Sequence, residues 1–189
     1  MEPVFIILII VGVLILIPLI WLIATYNRFV RLRQHIKESW SDIDVELKRR
    51  YELIPNLVET VKGYASHEQS TLEMIVNARN KAVASHGSAS DQAVDESAML
   101  IGLKKLFVVV EDYPELKADA HFLALQKELS LTEDRIAASR RFYNANVREM
   151  NQLEGAFPTN IVANIFKFEH HSFFELSSEA ERVVPAVDI

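Results

Sequence analysis

PVFIILIIVGVLILIPLIWLIATY, residues 3 to 26, carries no charged side chain and is aliphatic almost throughout. Read as a helix, its 24 residues reach roughly 36 Å at about 1.5 Å each, enough to cross a hydrocarbon core of about 30 Å. A cleavable export signal needs a basic start, a shorter apolar run and a small-x-small site. Only Met1 and Glu2 precede this run, and Ala24-Thr25-Tyr26 ends on a large residue. The stretch therefore reads as an uncleaved, single-pass anchor over residues 1–27.

Arg28, Arg31, Arg33 and Lys37 follow before the next acid, Glu38, whereas the other flank holds only Glu2. Basic residues stay on the cytoplasmic side, so this bias predicts an N-terminus outside and a cytoplasmic C-terminal body, the alternative being a periplasmic body. Trp21, Tyr26, Arg28, Arg31 and Arg33 are the expected membrane-interface residues. Their rings suit the headgroup level, and their guanidinium groups set topology and can touch anionic lipid. Pro18 predicts a kink or a loosened ladder. No Gly-x-x-x-Gly occurs, so tight pairing through the span is not indicated.

Beyond the anchor the chain suits one body of long helices (28–156) and a tail (157–189). All 20 basic residues and all but one of the 26 acidic residues lie beyond residue 27. That acidic balance argues against a nucleic-acid binder. The absence of Cys excludes disulfides, thiolate metal sites and a cysteine nucleophile.

The body reads at helical period. Phe29, Leu32, Ile36, Trp40, Ile43, Leu47, Tyr51 and Ile54 form one stripe, continuous with the anchor. Pro55 predicts the end of that rod, because the residue before a proline is pushed out of the α region. A second helix is expected over about 56–85, with Leu57, Val61, Tyr64, Leu72, Ile75, Arg79 and Val83 on one side. Ser85 to Asp91 reads as a loop. A third helix is expected over about 92–112, with Val94, Leu100, Leu103, Phe107 and Val110 inward. After Tyr113-Pro114 and a short link through Leu116, a fourth runs over about 119–155. Its stripe is Phe122, Leu125, Leu129, Ile136, Tyr143, Val147, Met150 and Leu153. The fold class is all-α: a transmembrane helix continuing into an antiparallel four-helix bundle with an aromatic-rich C-terminal tail. A short helix near 160–168 and an extended end at 183–187 complete it.

Chemistry is sparse. No Glu has a His three residues on, so the paired-metal signature of helical bundles is missing. His67-Glu68 lacks the second His of a zincin helix, and no serine-nucleophile motif occurs. No catalytic, cofactor-binding or metal-binding residue is assigned. Arg79, Glu68, Glu111, Glu133, Arg140 and Asn144 fall on or near the apolar faces and are expected to form a structural polar network, since a buried charge must be paired. Five phenylalanines crowd the tail: Phe157, Phe166, Phe168, Phe173 and Phe174. They either close the bundle end or offer a contact surface for a partner or a second copy.

These stretches resemble the LemA family of bacterial membrane proteins. The likeness rests on Tyr26-Asn27, WSDIDVELKRRYELIPNLVETVKGYASHE (40–68), Ala78-Arg79, EDYPELKA (111–118), LQKELSLTEDRIAASRRFYNANVREMN (125–151), Phe157-Pro158-Thr159-Asn160 and the closing FFEL and PAV. Glu52 stands where family members usually have Asp. The resemblance implies an N-terminal membrane segment, a long helical bundle and no established enzyme activity. Some relatives are associated with membrane organisation, and others carry a lipoprotein signal instead of the span. The expected function is a non-enzymatic scaffold in the bacterial inner membrane. It would contact lipid, homo-oligomerise and hold membrane or client proteins. The alternative is a regulatory adaptor for a membrane protease or signalling partner. Neither reading needs a cofactor or nucleic acid.

Overall fold

The structure, a computed structural model, describes residues 3–85 and 87–177. The expected extended end at 183–187 and the loop residue His86 lie outside them. Among the described residues there are six helices and no strand: α1 (Pro3–Tyr64), α2 (Gln69–Val83), α3 (Ala89–Glu111), α4 (Pro114–Lys117), α5 (Ala120–Gly155) and α6 (Thr159–Phe166). α1 contains one stretch long and apolar enough to cross a membrane, and that stretch is unburied by protein.

The chain divides into two compact units. The first joins the described residues up to Glu38 with Ala145–His171; the second joins Ser39–Asn144 with the described residues from Ser172.

In the first unit Phe29, Leu32 and Ile36 of α1 are buried, as are Val147, Met150 and Leu153 of α5 and Val162 and Ala163 of α6. Thr159 Oγ1 donates to the Leu153 carbonyl at 2.5 Å and to that of Ala156 at 2.9 Å, tying the start of α6 to the end of α5. Lys167 closes α6 in the left-handed region (φ 55°), and the Phe168 amide returns to the Ala163 carbonyl at 3.0 Å. A side chain there costs about 1–2 kcal/mol relative to the right-handed form. The turn reverses the chain so that Phe168 is buried.

In the second unit the stripe on α1 runs through Ile43, Leu47, Tyr51 and Ile54 and on through Leu57 and Val61, all buried. The helix does not stop at Pro55, contrary to the sequence reading, but continues to Tyr64. Pro55 has no amide hydrogen and cannot return the bond owed to the carbonyl of Tyr51. Arg79 Nε on α2 donates to that oxygen at 3.1 Å. A tertiary contact thus repairs the ladder that local sequence breaks.

The consequence is a later turn. The chain reverses over residues 65–68, where the Glu68 amide bonds to the Ala65 carbonyl, and the second helix begins at Gln69 rather than at 56. Tyr64 and Val83 are exposed rather than inward. α3 starts three residues earlier than expected because Ser88 and Asp91 form a reciprocal capping box. Those Ser88 bonds, side chain first and backbone second, hold the Asp91 carboxyl below its usual range. Val94 also faces out, and Phe107 is half-buried beside the fully buried Leu106. Gly102 lets α2 and α3 approach closely, since a methyl group there would lie 3.3 Å from Ile75 Cγ1.

α5 matches its expected stripe throughout: all eight residues from Phe122 to Leu153 are buried. Asp119 opens it by accepting the Phe122 amide at 2.8 Å, and Tyr64 Oη donates to the other oxygen at 3.1 Å. These bonds, the Phe122 amide foremost, lower the Asp119 pKa.

Candidate functional site

Three places in the fold bring polar or exposed apolar groups together: a charge cluster inside the second unit, the surface of that unit, and the ring cluster of the first.

The cluster is centred on Arg50, the largest fully buried side chain. Its Nη1 donates to Glu133 on α5 at 2.6 Å and its Nη2 to Glu96 on α3. Tyr51 Oη donates to the second Glu96 oxygen. Gln92 Nε2 reaches that same oxygen at 2.8 Å, Tyr51 Oη at 3.1 Å and the Ala82 carbonyl at 3.1 Å. Burial alone pulls the Arg50 pKa down, but Glu133 and Glu96 outweigh it, so the guanidinium is held charged well above its ordinary range. Burial, and then the Glu96 carboxylate, push the Tyr51 hydroxyl far above its usual value. This tyrosine stays protonated and donates.

The arrangement can do little chemistry. Each charged end faces its opposite inside the core. A guanidinium shared by two carboxylates fixes the relative register of α1, α3 and α5, because sliding any one strands a buried charge at a cost of several kcal/mol.

The expected polar residues divide. Glu133 belongs to the cluster, and Arg79 serves it from outside by holding the Tyr51 carbonyl. Asn144 pairs reciprocally with Phe174, its Nδ2 on the carbonyl at 3.0 Å and its Oδ1 under the amide at 2.9 Å. Arg140 lies 5.6 Å from the centre of the Phe174 ring. Glu111 is exposed at the end of α3, and Glu68 precedes α2 without a side-chain cap bond, so neither joins the cluster. Arg50 and Glu96 were missed. The signal was present: each takes its turn on an apolar stripe, Arg50 between Leu47 and Ile54, Glu96 between Ala93 and Leu100.

Two recesses among the described residues of the second unit lie beside α1. A groove of about 330 Å³ is lined by Asp42, Val45, Glu46, Arg135, Ala138 and Ser139. Val45 is 61% exposed there, and Phe142, one turn beyond Ala138, is 72% exposed. A cleft of about 460 Å³ lies among Val58, Lys62, Gln69, Leu72, Glu73 and Val76, from α1 and α2.

In the first unit aromatic rings meet at the end of the apolar run. Phe166 lies 4.7 Å and Phe168 5.9 Å from Tyr26 between ring centres, and Phe168 stacks on Phe29 at 4.6 Å. The Arg33 guanidinium sits 5.6 Å from the centre of the Phe168 ring. Arg28 pairs with Glu149 at 2.8 Å on the surface. Arg31 and Trp21 are exposed. Among the tail phenylalanines, Phe168 and Phe174 are buried, Phe173 is half-buried, and Phe157 and Phe166 are exposed. Phe174 is seated in the second unit 5.9 Å from Trp40, itself 5.3 Å from Tyr143.

Helices as the sole regular structure among the described residues, a span-length apolar segment near the N-terminus and interior charges paired with one another define a membrane-associated helical protein. Comparison with known families agrees with that class. The chain belongs to the LemA family, whose model matches residues 39–189. It is similar to the protein named LemA of Metamycoplasma hominis, 29% identical over 83% of this chain and 71% of that protein. It is also similar to Magnetosome protein MamQ 2 of Paramagnetospirillum magneticum, 27% identical over 82% of this chain. Magnetosome protein MamQ of Magnetospirillum gryphiswaldense is 25% identical over 81% of this chain. The chain spans 66% and 65% of the length of these two magnetosome proteins. None of these names is that of an enzyme.

Proposed function

We propose that the chain is a non-enzymatic scaffold, anchored in the bacterial inner membrane by α1, that self-associates and holds membrane or client proteins in place. Its body is an antiparallel four-helix bundle of the second half of α1 with α2, α3 and α5. Opposed numbering in the contacts supports this, since Trp40 meets Tyr143 while Arg50 meets Glu133. The basic flank after Tyr26 supports a cytoplasmic body and an outer N-terminus. The magnetosome relatives fit a role tied to a cell structure rather than to a reaction.

The observation that carries the reading is the exposed pair Val45 and Phe142 beside the α1–α5 groove. Two large apolar side chains on an otherwise charged face are surplus to a monomer and suit a contact between copies. The mass of the full chain in mild detergent tests this. Wild type should exceed one copy at micromolar concentration, and Phe142→Ser should shift the population toward the monomer with its helix content unchanged. A monomeric wild type would overturn the scaffold reading.

The cleft beside Val58 and Val76 favours a second reading, an adaptor that takes a short segment of one partner protein. Pull-down of the full chain from native membranes separates the two. A foreign partner in fixed ratio, lost on Val76→Glu, supports the adaptor.

A further inference from the structure

We propose that α6 is a second membrane contact: a short foot that lies in the bilayer interface beside the span and seats its exposed apolar edge among the lipid chains.

The foot is uncharged. No Asp, Glu, Lys or Arg occurs from Gly155 to Phe166, the longest such run after the anchor itself. Its residues sort onto three faces. Val162 and Ala163 are buried against the first unit. Ile161 and Ile165, four residues apart on the outside of α6, are 48% and 60% exposed, and Phe157, in the turn just before the helix, is 81% exposed. Asn160 and Asn164 fall between these two faces at about 100° per residue. In water, an exposed edge of one phenylalanine and two isoleucines costs what its burial would return, about 25 cal/mol per Å².

Position identifies the occupant. Phe166, the last residue of α6, packs on Tyr26, the last residue of the apolar run. Thr25, inside that run, is buried although the segment before it is bare. The protein thus reaches the level at which the hydrocarbon ends, and α6 is what it places there. Charge agrees. Lys167 follows Phe166 directly and is exposed, and Arg28, Arg31 and Arg33 follow Tyr26 on α1. These four cations directly follow the two apolar segments in sequence, Arg28 paired with Glu149 and Arg33 over the Phe168 ring, a composition that suits an anionic leaflet. Lys167 also occupies a left-handed backbone position that glycine fills at less cost, which is accounted for if the ammonium group is wanted at the phosphate level. A bilayer therefore fits the edge in both apolar and charged character.

The inference rests on α1 being a span, and the test keeps the two apart. The chain has no cysteine, so Val13→Cys, Ile161→Cys, Asn164→Cys and Ile165→Cys each give one site for a nitroxide label. Each full-length variant is reconstituted in vesicles of phosphatidylcholine and phosphatidylglycerol. Collisions with oxygen, enriched in hydrocarbon, are then compared with collisions with a water-soluble nickel chelate. The labels at 161 and 165 should favour oxygen several-fold more than the label at 164 and less than the label at 13. If 161 and 165 read as watery as 164 while 13 reads deep, the foot is wrong and the span stands. Labels at 161 and 165 shielded from both reagents would mean cover by protein, such as a second copy, and would also overturn it. A watery reading at 13 would remove the span and the foot together.

Discussion

In the second unit a guanidinium and two carboxylates lie beneath the surface. In the first, the interior is apolar, aliphatic side chains around Phe168 stacked on Phe29, and the ion pair of Arg28 with Glu149 lies outside. Both units must hold α1 to α5, and the difference lies in what each interior tolerates. Rings bring area without direction: Phe168 meets both Tyr26 and Phe29, and a small shift leaves it in contact. Buried charges bring direction with little net energy, because desolvation offsets most of their attraction. The second unit thus fixes one register, while the first holds its helices by covering them.

The sharpest way to break this contrast is Arg50→Met. Leaving Glu96 and Glu133 facing apolar surface should cost about 3–5 kcal/mol, read by urea unfolding of the detergent-solubilised chain. Replacing the whole set (Arg50→Met, Glu96→Met, Glu133→Leu) should recover much of that loss, whereas Glu149→Ala at the surface pair should cost at most about 1 kcal/mol. Equal losses for the buried and the surface pair would refute the distinction.

A smaller effect should appear at the α1–α2 contact. Arg79→Met leaves the Tyr51 carbonyl without its donor and should destabilise by about 1–3 kcal/mol. In a Pro55→Ala background an amide hydrogen returns to that oxygen, so the same change should cost much less. A double-mutant cycle in urea measures the coupling, and strict additivity would mean that the Arg79 bond does not stand in for the missing amide.

The smallest effect belongs to the first unit. Burial, opposed by Glu169 and reinforced by His170, lowers the His171 pKa below its ordinary 6.5. Below pH 6.5 the unfolded chain then takes up a proton that the folded imidazole resists, so the unfolded state binds more protons and stability falls with falling pH. The loss grows from about pH 6.5 downward and levels off below the folded value. Proteolysis of the segment after α6 should rise over that window, and His171→Gln, which keeps both backbone bonds to Asn151, should flatten the rise.

Much of the fold was legible because it rests on period. The stripes of α1 and α5 need only apolar residues three and four apart, and nearly every residue so assigned is buried. The stop at Pro55 was misread because the rule is local and its remedy, Arg79, comes from another helix. The turn at 65–68 was missed because ASHE holds neither Gly nor Pro. For the polar network, a search beside the apolar faces picked out Glu133, which joins the cluster, and Arg79, Arg140 and Asn144, which make their contacts elsewhere. It passed over Arg50 and Glu96, which interrupt the stripes themselves: a charge on a stripe was the stronger signal. The exposed edge of α6 was half visible as a cluster of phenylalanines. Its isoleucines and its level beside Tyr26 needed the folded chain.

The repair at Pro55 makes the hydrogen-bond ladder of α1 conditional at that turn. With α2 docked, Arg79 completes the ladder and the helix continues unbroken past residue 55. With α2 lifted away, the Tyr51 carbonyl is orphaned and the ladder has a gap one turn before the proline. Docking and undocking of a single short helix would thereby stiffen or loosen the last turns of α1, residues 56–64, where they follow the proline.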